Sequence, residues 1–277
     1  MQKRHSLRQL FWRTLVAVGG TAATAAGVYP VANQASVALW RMARGRKQPA
    51  RLARAVAGEW AMAGLVAAAR PLGFFGVPVL RPGARGPRPV LLLHGYAMGR
   101  ANFVVLANRM ALAGLGPLIG FEYWTLGGVA PASAALASFV EELCARLGVA
   151  AVDLVGHSLG GVIARDYVTS GGGAARVANV ITIGSPHGGT PFSRFGLGRT
   201  AVELGAGSAF VRELAARPAP ASVRFTAIWS RADGLVSSRA QAALAGAELI
   251  EFQDLGHLAM LASPRVAREV IARLLWE

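Results

Sequence analysis

The stretch AVDLVGHSLGGVIARDYV, residues 151–168, joins an apolar run to a helical pattern through a serine set between two glycines. AVDLVG predicts a buried strand, and LGGVIARDYV predicts a helix. The turn between them falls at Ser158. Gly156 and Gly160 remove two side chains around that serine, which matters where the backbone turns very tightly. A serine in this place serves either as a helix N-cap, with the glycines easing packing, or as a hydroxyl lifted out of the end of a sheet.

Outward from this turn, the chain alternates short apolar runs with helical stretches from Pro89 onward. VLLLH, LGPLIGFEYW, VANVITIG, SVRFTAIWS and AELIEF predict further strands. ANFVVLANRMALAG, SAALASFVEELCARLG and SPRVAREVIARLLW predict helices, the second ending near Gly148 and the third opening on Ser263 and Pro264. Strands that alternate with helices predict an α/β domain with a mainly parallel sheet covered on both faces. The long interruption is residues 187–222, between two strands.

In that setting Ser158 meets the requirement of a nucleophile elbow, a strand–turn–helix with the helix N-terminus behind the hydroxyl. A serine nucleophile needs a base, and the base needs an acid to orient it. The chain order of such sites, serine then acid then histidine, selects His257 in QDLGHLAML. His5 lies in the basic head, His94 and His157 flank other elements, and His187 precedes every good candidate for the acid. Asp233, in AIWSRADGLVS at a strand end, fits the acid. Asp254 competes, but it shares a short loop with His257. Glu248 and Glu251 fall in the last strand, and Asp153 and Asp166 read as structural or surface groups. Oxyanion donors are expected at the N–H of Leu159 and, from the turn HGYAMG, at the N–H of Tyr96. The lone cysteine, Cys144, reads as a small buried residue and cannot form an internal disulfide.

LLLHGYAMGRANF, DLVGHSLGG, ITIGSPHGGT, SRADGLVS and GHLAML together resemble the ordered motifs of α/β-hydrolase-fold lipases and esterases, especially bacterial triacylglycerol lipases. The resemblance covers about residues 89–277. It implies Ser158 as nucleophile, Asp233 as acid, His257 as base, and Tyr96 and Leu159 as oxyanion donors. His187 is then a supporting residue. It also implies that residues 187–222 occupy the place of a short lid, with Tyr96, Phe192, Phe195 and Phe210 lining an acyl site. The expected activity is hydrolysis of lipid or other acyl esters, without cofactor or metal. An acyltransferase would use the same triad, and a catalytically dead fold would serve only for binding. This sequence departs from secreted lipases in lacking a disulfide pair and in its long basic, apolar head.

Charge divides the chain. Of the net +15, residues 1–89 carry 14 Lys and Arg against one acid, Glu59, while the remaining 188 residues are nearly balanced. A nucleic-acid enzyme would carry its basic charge around the catalytic half, so this distribution speaks against nucleic acid and for a membrane surface. Residues 14–40 are uncharged over 27 positions, longer than a bilayer span needs, and are flanked by basic clusters. They predict an uncleaved anchor. The rival reading is a signal peptide ending near the ATA of residues 23–25, followed by secretion. A bacterial origin, implied by the resemblance, places the protein at the inner membrane with a periplasmic catalytic domain. AVAGEWAMAGLVAAA, residues 55–69, predicts a surface-lying or docked helix, and RPGARGPRP, residues 81–89, a linker. The expected division is a membrane-associating segment over 1–80 and a catalytic domain over 81–277.

Overall fold

In a computed structural model of the protein, the described residues are 55–62, 64–65, 88–170 and 172–275. The expected anchor at 14–40 and most of the 81–89 linker lie outside them. Among the described residues no helix is long and apolar enough to cross a membrane.

Six strands form one sheet: β1 (Val90–Leu93), β2 (Leu118–Phe121), β3 (Val152–His157), β4 (Val177–Ile183), β5 (Arg224–Ser230) and β6 (Glu248–Phe252), in the order β2-β1-β3-β4-β5-β6. All five pairings are parallel. The helices between them are α1 (Val104–Leu112), α2 (Val129–Leu147), α3 (Leu159–Ser170), α4 (Gly198–Glu203), α5 (Ala209–Ala216), α6 (Arg239–Ala242), α7 (Ala259–Ala262) and α8 (Pro264–Leu275). Residues 55–62 are also helical.

The strands' apolar runs are continuous because both faces of the sheet are covered. Leu91, Leu93, Val152 and Leu154 face one core with Leu136, Val140 and Leu143 of α2 and Val162, Ile163 and Tyr167 of α3. Val90, Leu92, Val155, Ile181 and Ile228 face the other, with Leu106 and Met110 of α1 and Val266, Val270 and Leu274 of α8. Met62, from the 55–62 helix, is buried in this second core. That piece of the expected head therefore packs on the catalytic domain.

Chain order decides where a site can form. From β1 the chain moves outward to β2, then returns past β1 to β3 and continues the other way. The reversal lies between β1 and β3, and the crevice outside the carboxyl ends of strands at such a point is where ligands bind in open parallel sheets. His94 to Tyr96 leave the end of β1, and Ser158 leaves the end of β3.

The 187–222 insertion forms a short 3-10 helix (Pro191–Phe195) followed by α4 and α5. Helix α2 starts at Val129, before the expected SAALAS, with Pro131 in its first turn where a missing N–H costs nothing. Its C-cap, Gly148, takes the left-handed conformation at φ 65°.

Candidate active site

Among the described residues, two non-glycine residues have positive φ, and both stand at the switch point: Ser158 at 55° and Ala97 at 54°. An L-residue in the left-handed region costs about 1–2 kcal/mol, so it persists only where the surroundings fix it. At Ser158 the surroundings are two close approaches. A Cβ on Gly156 would lie 2.4 Å from the Gly161 nitrogen, and one on Gly160 would lie 2.1 Å from the Leu93 carbonyl oxygen. Without side chains there, α3 presses onto the ends of β3 and β1, and the backbone has to turn sharply between them. The Ser158 N–H donates to the Ile183 carbonyl at 2.9 Å, which ties the turn to β4. Leu159, next in the chain, opens α3, so its N–H has no acceptor within that helix.

The loop after β1 is held from several sides. The His94 ring stacks on Tyr123 with centroids 4.4 Å apart, and the Tyr123 hydroxyl donates to the His94 carbonyl. The Ala97 N–H donates to Thr125 Oγ1 at 3.2 Å. Gly95 lies directly against the elbow: a Cβ there would meet His157 Nδ1 at 3.2 Å and Ser158 Cβ at 3.3 Å. The expected oxyanion residues, Tyr96 and Leu159, are thus carried by two loops in contact.

His257 and Asp233 meet. Nδ1 of His257 lies 2.8 Å from Asp233 Oδ2, and both side chains are buried. Asp233 Oδ1 accepts from the N–H groups of Leu235 at 2.7 Å and Val236 at 3.0 Å, which fixes the carboxylate. Gly184, immediately after β4, borders the pair: a Cβ on it would lie 3.1 Å from Asp233 Oδ2 and 3.1 Å from His257 Nδ1. His157 joins this group to the elbow. Its ring centroid is 4.6 Å from that of His257, and its Nε2 is 3.2 Å from the His257 carbonyl oxygen. The Asp233–His257 pair therefore lies against Gly184 at the end of β4 and against His157, the residue before Ser158.

Burial disfavours the imidazolium of His257, but the charge and hydrogen bond of Asp233, with a further contribution from Glu59, outweigh it and raise the pKa. Burial, and then the neighbouring His257, push His157 well below the usual histidine range, so it stays neutral. His187 is likewise buried and neutral, its pKa lowered to about 3 by burial and by Arg165. It lies 3.0 Å from Thr182 Oγ1 and supports the start of the insertion, outside the Asp233–His257 pair.

The other carboxylates are engaged elsewhere. Asp254 pairs with Arg265 at 2.7 Å, Asp153 with Arg88 at 3.1 Å, and Asp166 with Arg217 at 2.7 Å. Glu248 pairs with Arg273, and Glu251 with Arg231 at 2.5 Å. Of the expected acyl-site residues, Phe210 is half-buried and packs against the core that contains Leu204 and Leu214. The side chains of Phe192 and Phe195 lie outside the described part of the structure. The Tyr96 hydroxyl meets both backbone groups of Leu197 in the insertion, donating to the carbonyl at 2.6 Å and accepting from the N–H at 2.6 Å. Cys144 is buried. Among the described residues no cluster of side chains is arranged to hold a metal ion.

Sequence reasoning passed over Glu59, whose carboxylate is buried against the loop that carries His257. The available signal was a single acid in an otherwise apolar helical run, which needs a partner wherever it is buried.

The sequence profile of the palmitoyl protein thioesterase family matches residues 127–231, from the approach to α2 as far as Arg231. Among solved structures, the mature form of the Bacillus licheniformis lipase BlEst2 is similar over 73% of this chain and 97% of its own, with a TM-score of 0.62 and 17% identity. Aspergillus fumigatus lipase B is similar over 69% of this chain and 53% of its own, with a TM-score of 0.60 and 18% identity. A metagenomic carboxyl esterase is similar over 72% of this chain and 79% of its own, with a TM-score of 0.52 and 20% identity. Strand order, the strained turn at Ser158 and these likenesses agree: the protein is built on the α/β-hydrolase fold, in a form similar to lipases and esterases.

Proposed function

We propose that the protein is a serine hydrolase that cleaves carboxylic esters, lipid esters among them, through an acyl-enzyme on Ser158. The observation that carries this reading is the strained serine at the end of β3, directly after His157, whose ring packs on a buried His257 that is bonded through Nδ1 to Asp233. With Nδ1 engaged by Asp233, Nε2 of His257 is the nitrogen left to take a proton from Ser158 as the hydroxyl attacks the ester carbonyl. Asp233 holds the ring's tautomer and stabilises the imidazolium. The N–H groups of Leu159 and Tyr96 receive the oxyanion, and the α3 N-terminus favours the same charge. His257 then protonates the departing alcohol. Water attacks the acyl-enzyme by the same steps in reverse, releasing the acid and restoring Ser158.

The match to palmitoyl protein thioesterases favours a second reading at the same site, cleavage of long-chain S-acyl esters. The triad serves both, because a thiolate is the easier leaving group. Basic clusters around the uncharged segment 14–40 support attachment to an anionic membrane, where such substrates lie.

Labelling with a fluorophosphonate tests the chemistry, and a panel of p-nitrophenyl esters, triacylglycerols and S-palmitoyl peptides sorts the substrates. Wild type should label at one site, Ser158. Ser158→Ala should remove labelling and lower turnover about 10⁶-fold while the melting temperature stays within a few degrees. Turnover near the wild-type level by folded Ser158→Ala would end the proposal.

A further inference from the structure

The helix at 55–62 turns Ala55, Glu59 and Met62 inward, at spacings i, i+4 and i+7. Glu59 is only 5% exposed, whereas its neighbour Trp60 is 51% exposed. A carboxylate in the middle of a buried stripe is costly unless its oxygens are satisfied. These oxygens are. The Leu258 N–H lies 2.9 Å from Oε1 and 2.8 Å from Oε2, and the Ala259 N–H lies 3.1 Å from Oε2. The two amides directly follow His257 and open α7, where the first N–H groups of the helix have no partners of their own. On the other side of His257, a Cβ on Gly256 would fall 2.4 Å from Glu59 Oε2 and 3.0 Å from the Ala55 carbonyl oxygen. The helix thus touches the backbone of the loop both before and after the histidine.

His257 is held at three levels. Asp233 fixes its ring, the His157 ring meets its carbonyl, and Glu59 fixes the next two amides. The first two come from the catalytic domain itself. The third comes from a segment about 200 residues away in sequence, and it carries the single acid of residues 1–89. A cap of pure stability would be met as well by a neutral hydroxyl or amide. A carboxylate whose two oxygens both accept amide N–H groups also brings negative charge toward His257 and Asp233. Burial raises the pKa of Glu59, the opposite charge on His257 and the two amides work to keep it ionised, and Asp233 works against that.

We propose that Glu59 is a positioning residue for His257: by binding the Leu258 and Ala259 amides, the helix at 55–62 sets the loop that aims the base at Ser158. The inference rests on the serine-hydrolase reading. Its consequence is that the site is complete only when the N-terminal helix is docked.

The test uses the full chain with Glu59→Gln, Glu59→Asp and, as a control on the exposed face, Trp60→Ala. Melting temperature, the rate of fluorophosphonate labelling, and kcat and KM on p-nitrophenyl butyrate against pH are measured. Glu59→Gln should stay folded, keep KM within about twofold and lose about 10- to 100-fold in kcat, the scale of a slight misplacement of a reacting group. Its acid limb should move to lower pH, because a negative charge facing His257 has been removed. Glu59→Asp, one methylene short, should fall between, and Trp60→Ala should match wild type. If Glu59→Gln melts below the assay temperature, Glu59→Asp decides. Wild-type kcat and acid limb in a folded Glu59 variant would overturn the proposal while leaving labelled Ser158 in place. Wild-type protein that does not label at Ser158 would overturn the serine reading, and this inference with it.

Discussion

Two aspartates near His257 in sequence differ sharply in what they touch. Asp233 is buried, bonded to His257 Nδ1 and to two backbone amides, whereas Asp254 points to solvent-facing Arg265. Asp233→Asn should therefore lower kcat/KM on the order of 10⁴-fold, since an amide favours the wrong tautomer of the ring. Asp254→Asn loses an exposed ion pair and should cost at most a few-fold in rate and less than about 1 kcal/mol in stability. Steady-state kinetics on a soluble ester ranks the two, and the reverse ranking would mean that Asp254 is the acid. The pH profile adds a second reading. Activity needs neutral His257, whose folded pKa is raised, so in wild type the acid limb should lie above the ordinary histidine value of about 6.5 and activity should rise through it. At this scale the pairing of Asp233 with His257 was legible because chain order and strand ends limit the choice. Glu59 was not, because the partner that makes its burial tolerable is a backbone amide at Leu258, and no side-chain pattern in a sequence announces an amide.

At the scale of elements, the inner strands were legible as apolar runs because both of their faces are covered, and the half-buried edge strand β6 was legible from Leu249, Ile250 and Phe252 despite Glu248 and Glu251. The insertion was less so. Its helices α4 and α5 are six and eight residues long, too short for propensity to fix without tertiary contacts, and glycines at 205 and 207 interrupt the pattern. Several contacts anchor this region: the Gly128 N–H donates to Thr200 Oγ1, the Val129 N–H to Glu203, Leu204 and Leu214 sit in the core, and the Tyr96 hydroxyl bridges both backbone groups of Leu197. Burial raises the pKa of that phenol although the bond to Leu197 pulls the other way, so it remains protonated and can donate. Tyr96→Phe removes both bonds and leaves the ring. Each is worth about 1 kcal/mol, so exchange of the Leu197 amide should quicken by about tenfold or more. If the insertion covers an acyl groove, the ratio of long-chain to acetate ester turnover should also change, since Leu197 itself is 65% exposed beside Tyr96. Amide exchange by mass spectrometry and a two-substrate assay measure these effects. An unchanged Leu197 amide would show that the Thr200 and Glu203 bonds hold this stretch without the Tyr96 hydroxyl.

Over the whole molecule, sequence composition separates a basic, apolar head from a balanced catalytic domain, and the contacts of residues 55–62 cross that division. Charge counting could not see this, because the docked face consists of an alanine, a methionine and one carboxylate bound by backbone amides. The proposed attachment to a membrane and the proposed completion of the site fall on different parts of the first 80 residues, and truncation separates the two proposals. A chain beginning at residue 50 keeps the helix with Ala55, Glu59 and Met62. It should retain wild-type kcat on soluble esters and lose binding to vesicles containing anionic lipid, since the uncharged 14–40 segment and the basic residues around it are gone. A chain beginning at residue 81 also exposes the pocket left by Met62 and frees the amides of Leu258 and Ala259. Burying one methionine is worth about 2 kcal/mol and the carboxylate bonds add to it, so its melting temperature should fall by about 5 °C or more. Its kcat should fall about as far as that of Glu59→Gln, and more than the loss of folded protein accounts for at the assay temperature. Vesicle co-sedimentation, thermal melts and kcat on one soluble ester, compared across the two truncations and the full chain, measure all three effects. Equal kcat in both truncations would leave the docked helix without a part in placing His257, whereas a fall only beyond residue 50 makes it part of the machinery that holds His257.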